Sequence, residues 1–210
     1  MAHSNAGIVL HSAARYYDLM TGLFLRGRER AFRERLLDLG RLEPGERVLD
    51  VGCGTGSLAI AAGRRVGPAG AVCGIDASAD MIAAARRKTR KAGVGVRFQQ
   101  ATVQALPFPD ASFDAVLSTL MLHHLPRPER PQALREARRV LTPGGRLLVV
   151  DFTTPARERR GILARVHRHG HVDFHDVGTL LHEAGFEVLD RGAVGVHDLH
   201  FALAKPSLAR

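Results

Sequence analysis

A carboxylate followed by glycine at every second position carries most of the chemistry in this 210-residue chain: Asp50-Val51-Gly52-Cys53-Gly54-Thr55-Gly56. Without side chains, backbone N–H groups can approach a ligand closely, and a helix starting here offers its first unpaired N–H groups. A nucleotide triphosphate loop needs GxxxxGKS or GxxxxGKT, and no lysine follows these glycines. A dinucleotide loop needs GxGxxG, but Ser57 stands at the third-glycine position. Asp50 would repel a pyrophosphate and suit a ligand bearing an ammonium and a sulfonium. Asp76, 20 residues beyond Gly56, can accept from both hydroxyls of a ribose, a role common to NAD and other nucleosides.

These residues need a scaffold. Residues 1–40 carry helical spacing, with Tyr16, Tyr17, Leu19, Met20, Leu23 and Phe24, then Phe32, Leu36, Leu37 and Leu39. A turn at 42–46 follows. Strand and helix patterns then alternate: strand 48–51, helix 57–65, strand 71–75, helix 78–90 with Ser78 as N-cap, strand 94–99, strand 113–118, helix 131–140 and strand 146–151. The helix to Val140 should be closed by the turn Thr142-Pro143-Gly144-Gly145. Helix 176–184 precedes strands 186–191 and 194–204, separated only by Gly192 and expected to pair as a hairpin. The pattern predicts an α/β, Rossmann-like doubly wound, seven-stranded, mainly parallel sheet with a C-terminal antiparallel hairpin. Ligands bind such sheets beyond the carboxyl ends of the strands.

VLDVGCGTG, GIDAS followed by Met81, LPFPDASFD, LMLHHLP, RVLTPGGRLLVVD and LLHEAGFEV occur in that order. The set resembles the class I S-adenosylmethionine-dependent methyltransferases, above all the small-molecule group containing the ubiquinone and menaquinone C-methyltransferases. The likeness covers about residues 46–204, which implies a methyltransferase domain at 46–210 and N-terminal helices, 1–45, covering the cofactor site. It implies S-adenosylmethionine as cosubstrate and methyl transfer to a small-molecule or lipid-like acceptor. Asp50, Gly52, Cys53 and Gly54 would border the methionine moiety, with Gly56 at the helix start. Asp76 would take the ribose, and Ala77 and Met81 would flank the adenine. Ser118 would lie near the sulfonium, and Tyr17 would cover the cofactor. The family usually has Gly-Asp-Ala after the third strand, where this chain has Ala101-Thr102-Val103. Thr102 and Val103 are left to contact the adenine without a charged acceptor. A charge-assisted bond of about 1.5–3 kcal/mol is about tenfold or more in affinity.

Transfer from a sulfonium needs positioning and water exclusion, and a base only if the acceptor must lose a proton. His123 is the candidate base; its structural alternative is a helix-start histidine bonded locally. Asp151 faces substrate or caps a helix. Residues 156–171 are densely basic; their alternating histidines can bind metal, their arginines can meet an anionic substrate or lipid headgroups, and the plain alternative is a solvated segment. The net charge of +9 admits peripheral contact with an anionic membrane. Nucleic acid is not expected. Leu117-Ser118-Thr119-Leu120 stands where exocyclic-amine methylases carry Asn/Asp-Pro-Pro-aromatic, no cysteine follows a proline, and 9 Phe, 2 Tyr and no Trp give few stacking platforms. Cys53 and Cys73 read as reduced thiols, with no metal site expected. No apolar run reaches the roughly 18 residues that span a bilayer, and the start lacks a signal peptide pattern, so a cytoplasmic protein, monomeric or homodimeric, is expected. The alternatives are a non-catalytic S-adenosylmethionine-binding module or an RNA methyltransferase; a nicotinamide oxidoreductase is disfavoured by Ser57.

Overall fold

The computed structural model describes residues 27–153, 174–196 and 198–207. Its strands are β1 (Arg47–Val51), β2 (Ala71–Asp76), β3 (Val96–Gln100), β4 (Phe113–Thr119), β5 (Leu141–Phe152), β6 (Phe186–Ala193) and β7 (Leu199–Pro206). They form one sheet in the order β3-β2-β1-β4-β5-β7-β6. The first five are parallel, and β7 runs antiparallel between β5 and β6. The expected fold class is therefore the observed one.

The helices are α1 (Glu29–Leu39), α2 (Ser57–Val66), α3 (Ala79–Ala92), α4 (Arg130–Val140) and α5 (Phe174–Glu183). Phe32, Leu36 and Leu37 of α1, Leu58 to Ala62 of α2, and Ile82 and Ala85 of α3 cover one face of the sheet. Ala133, Leu134 and Ala137 of α4 and Val177 and Leu181 of α5 cover the other. Central strands are apolar on both sides because both faces are covered; Leu49, Val116, Leu147 and Val149 are fully buried. Ser78 does cap α3, accepting from the Met81 N–H at 3.4 Å, and Gly93 ends it at φ +63°.

Two connections differ from the sequence reading. Thr142 to Gly145 do not separate helix from strand; β5 begins at Leu141, opposite Phe113, and its register against β4 shifts before Arg146 meets Ala115. The residues fold back tightly there, since a Cβ on Gly145 would lie 2.9 Å from Leu141 Cδ2. The hairpin turn falls at 194–198 rather than at Gly192, which pairs with Phe201 inside the ladder.

The amino-terminal rim of the sheet is closed by charge pairs. Arg47 donates to both oxygens of Asp114, from Nε at 3.1 Å and Nη2 at 2.8 Å. Arg146 forks onto Glu46 at 2.7 Å through each Nη and donates from Nε to the Gly40 carbonyl at 2.6 Å.

Candidate functional site

Strand order reverses between β1 and β4, so a crevice opens beyond their carboxyl ends. The loop after β1 fills its floor. The N–H groups of Gly52 and Cys53 both donate to the Ile75 carbonyl at 2.9 Å. The Gly54 N–H donates to Asp76 Oδ2 at 2.9 Å, and the Ser78 N–H to Asp76 Oδ1 at 2.8 Å. Asp76 thus ties the ends of β1 and β2 together. Gly52, Gly54 and Gly56 have φ of +72°, +52° and +79°, the left-handed region that disfavours any Cβ. A Cβ at Gly52 would also collide with the Met121 side chain. One at Gly56 would stand 2.5 Å from Phe98 Cζ. Two of the glycines are therefore required by packing, whatever the loop binds.

Asp50, the penultimate residue of β1, is only 2% exposed. Burial, then the nearby Asp76 charge, push its carboxyl up to about 7, against the pull of the Ala59 N–H. Its Oδ2 has no hydrogen-bond partner among the described residues, and neither do Ser118 Oγ and Thr119 Oγ1 at the end of β4. Buried polar atoms are nearly always paired, so such a cluster at a strand-end crevice is what a polar ligand would satisfy. A cationic ligand would also relieve the cost of burying the Asp50 charge. These donors and acceptors fit the amino-acid end of S-adenosylmethionine. Leu120 holds φ +54°, a conformation that costs a non-glycine residue energy and that clusters at functional sites.

A cavity of about 260 Å³ opens against this floor, lined by Asp50, Gly52, Cys53, Thr55, Thr119 and Leu120 below and by Phe32, Arg33 and Leu36 of α1 above. Helix α1 thus reaches the site, while Tyr17 lies outside the described residues. Asp76, Ala77 and Thr102 sit beside the loop at the end of β2 and just past β3, where the Ala101 N–H donates to the Asp76 carbonyl at 3.1 Å. Burial raises the Asp76 carboxyl, while the Ser78 and Gly54 amides pull it down. Ala77 and Thr102 are exposed. Met81 and Val103 are buried, at 3% and 8% exposure. The Cys53 thiol is pushed well up by burial and by Asp50 and Asp76, which keeps it un-ionised and unreactive.

His123 does not line this cavity. It is 3% exposed, and its Nδ1 lies 2.8 Å from Asp151 Oδ1. Asp151 is fully buried and also accepts from the backbone N–H groups of His123, at 3.1 Å, and Phe152, at 2.8 Å. Burial pushes the Asp151 carboxyl up, but His123 and these amides outweigh it and hold it below the ordinary range. The pair pins the segment after β4 to the end of β5. Residues that the sequence reading does not assign to the site also line the cavity: Arg33, Thr55, Ser57, Lys88 and Thr119. Thr55 and Ser57 flank the last loop glycine and were open to inspection. Lys88 has no local signal, because it arrives from α3 through space.

A family model described as a methyltransferase domain matches residues 48–145. The chain is 41% identical over 154 residues to the ubiquinone/menaquinone biosynthesis C-methyltransferase UbiE of Hahella chejuensis, covering 72% of this chain and 61% of that one. It is 40% identical over 151 residues to the demethylmenaquinone methyltransferase of Thermus thermophilus, covering 72% of this chain and 67% of that one. The chain therefore spans less than two thirds of the length of the first of these relatives. Among solved structures it resembles a SAM-dependent methyltransferase from Aquifex aeolicus, with a TM-score of 0.74 and 27% identity, over 89% of this chain and 96% of that one.

Proposed function

The chain belongs to the S-adenosylmethionine-dependent methyltransferases, and from that premise we propose that it transfers a methyl group from S-adenosylmethionine to a small-molecule or lipid-like acceptor. One observation carries the reading: the buried, unsatisfied Asp50 oxygen in a cavity that the left-handed Gly52 also lines, at the start of a loop with two further left-handed glycines. When bound, S-adenosylmethionine supplies an electrophilic methyl group on a leaving group that is already activated.

Asp50 receives the ammonium, and its field favours the neighbouring sulfonium. The glycine loop presents backbone rather than side chains to the ligand. Ser118 and Thr119 offer hydroxyls at the same end of the crevice. Asp76 takes the ribose hydroxyls with lone pairs not used by Gly54 and Ser78. Ala77, Met81, Thr102 and Val103 form the adenine end, without a carboxylate. Phe32 and Leu36 of α1 line the cavity and help to exclude water from it. His123 acts as a positioning residue through Asp151 rather than as the base, because its ring is buried away from the cavity.

The acceptor is of the quinone-precursor kind for which the two relatives are named, in the cytoplasm or at its membrane face, with the basic surface aiding contact with anionic lipid. Among the described residues no helix is long and apolar enough to cross a membrane. Neither metal nor nucleic acid takes part. The test is incubation of the purified protein with methyl-labelled S-adenosylmethionine and a short-chain demethylmenaquinol. Label moving into the organic phase is expected. Release of no S-adenosylhomocysteine with this or related phenolic and quinol acceptors, while the cofactor binds, would leave only a binding module.

A further inference from the structure

The cavity has a second polar wall that the cofactor contacts above do not use. Lys88, on the third turn of α3, sends its Nζ across to the Thr55 and Ser57 hydroxyls, at 2.8 Å each. Those two residues bracket Gly56, the N-cap of α2. An ammonium is thereby fixed at the amino end of a ten-residue helix. That end already carries the positive pole of the helix dipole, so a cation there is placed against the field. The first turn of α2 contains no acidic residue to offset it. Arg33 of α1 lines the same cavity, so two cations, a helix amino end and two hydroxyls belong to one lining. Glu29 is the other acid in the lining, at the start of α1.

The floor has the opposite character. Asp50 is 2% exposed, and its Oδ2 is unsatisfied among the described residues. A ligand filling the cavity thus meets both a buried anion, Asp50, and two cations, Lys88 and Arg33. That polarity matches an α-amino acid zwitterion rather than a simple cation or anion. We propose that Lys88, with Arg33 opposite, binds the α-carboxylate of the cofactor's methionine while Asp50 binds its ammonium, so that the site reads the amino-acid end as a dipole. The inference rests on the cofactor reading above and adds to it two carboxylate-binding residues, which select ligands that keep that carboxylate. Lysine suits this position because its ammonium is a compact charge on a stem long enough to cross between helices.

Calorimetry on the full chain with two ligands tests it: S-adenosylhomocysteine, and 5′-methylthioadenosine, which keeps adenosine and sulfur but lacks the amino-acid end. Lys88→Met is expected to weaken S-adenosylhomocysteine about tenfold or more and methylthioadenosine less than twofold; tenfold corresponds to about 1.4 kcal/mol. Lys88→Arg should recover most of the loss, and Arg33→Gln should show the same selectivity to a smaller degree. Equal weakening of both ligands would make Lys88 a prop for the loop and overturn the proposal, as would no change in either. Should Lys88→Met fail to fold by circular dichroism, Lys88→Gln reads the same ratio. Wild-type protein that binds neither ligand would overturn the cofactor reading as well. Wild type that binds S-adenosylhomocysteine, with Lys88→Met binding it equally, would sink this inference alone.

Discussion

The two rims of the sheet treat charge in opposite ways. At the amino-terminal rim, Arg47 meets Asp114, and Arg146 meets Glu46 and a backbone carbonyl, with good geometry throughout. At the carboxyl rim, Asp50, Ser118 and Thr119 bury polar oxygens that no described residue satisfies, and Leu120 and three glycines hold left-handed backbone. The first rim satisfies its polar groups internally, and the second leaves buried oxygens for the ligand proposed above. Conflict between local rules and the global fold is expected where a protein acts. The His123–Asp151 pair marks the boundary: it lies at the carboxyl end yet pairs imidazole directly with carboxylate, as the amino-terminal rim pairs its charges.

Substitutions can break that contrast from either side. The largest effect is expected at the boundary: Asp151→Ala leaves His123 and two amides without their buried acceptor, at about 3–4 kcal/mol of stability by urea denaturation. Because the folded Asp151 carboxyl lies below its ordinary value, its contribution is present at neutral pH and lost as pH falls through that lowered value. Gly52→Val should follow at about 3 kcal/mol, from strained φ and the collision with Met121, whereas Gly93→Ala, with open space around it, should cost about 1 kcal/mol. At the satisfied rim, Arg146→Met strands Glu46, and about 2 kcal/mol is expected, since both side chains keep some solvent.

Asp50 should behave in the opposite sense to the paired acids. Its folded pKa is raised to about 7 from 3.8, so its stability contribution is full below pH 4 and is lost as pH rises to 7. Asp50→Asn should flatten that decline, by about 2–4 kcal/mol across the window, in chemical denaturation at stepped pH. The cofactor's cationic end needs the ionised form, so affinity should fall as pH drops below 7, by up to about tenfold per unit. A mutant that loses stability and affinity together would erase the distinction between the rims. The smallest change is Thr102→Asp. Supplying the missing acceptor at an exposed position should tighten S-adenosylhomocysteine by about two- to tenfold, or about 0.5–1.4 kcal/mol, in a calorimetric titration.

Short-range signals were legible in the chain. The glycine turn after β1, the Ser78 cap and the apolar strands are announced within a few residues, and the sheet follows from their alternation. Partnerships across space were not. Nothing near Lys88 announces that it reaches Thr55, and nothing near His123 announces Asp151, 28 residues away. The Thr142-Pro143-Gly144-Gly145 turn looked like a boundary because Pro and Gly usually mark one; pairing of Leu141 with Phe113 overrides that local preference. The packing role of Gly52 and Gly56 was not legible, because Met121 and Phe98 approach them only in the folded chain.

The most direct test is calorimetric titration of S-adenosylhomocysteine at pH 7.5 into wild-type and Asp50→Asn protein. One-to-one binding by wild type, weakened at least about tenfold in a variant that stays folded and is no less stable, is the expected result. Binding unchanged by Asp50→Asn, or no heat from wild type at millimolar ligand, would contradict the assignment of the carboxyl rim to this cofactor.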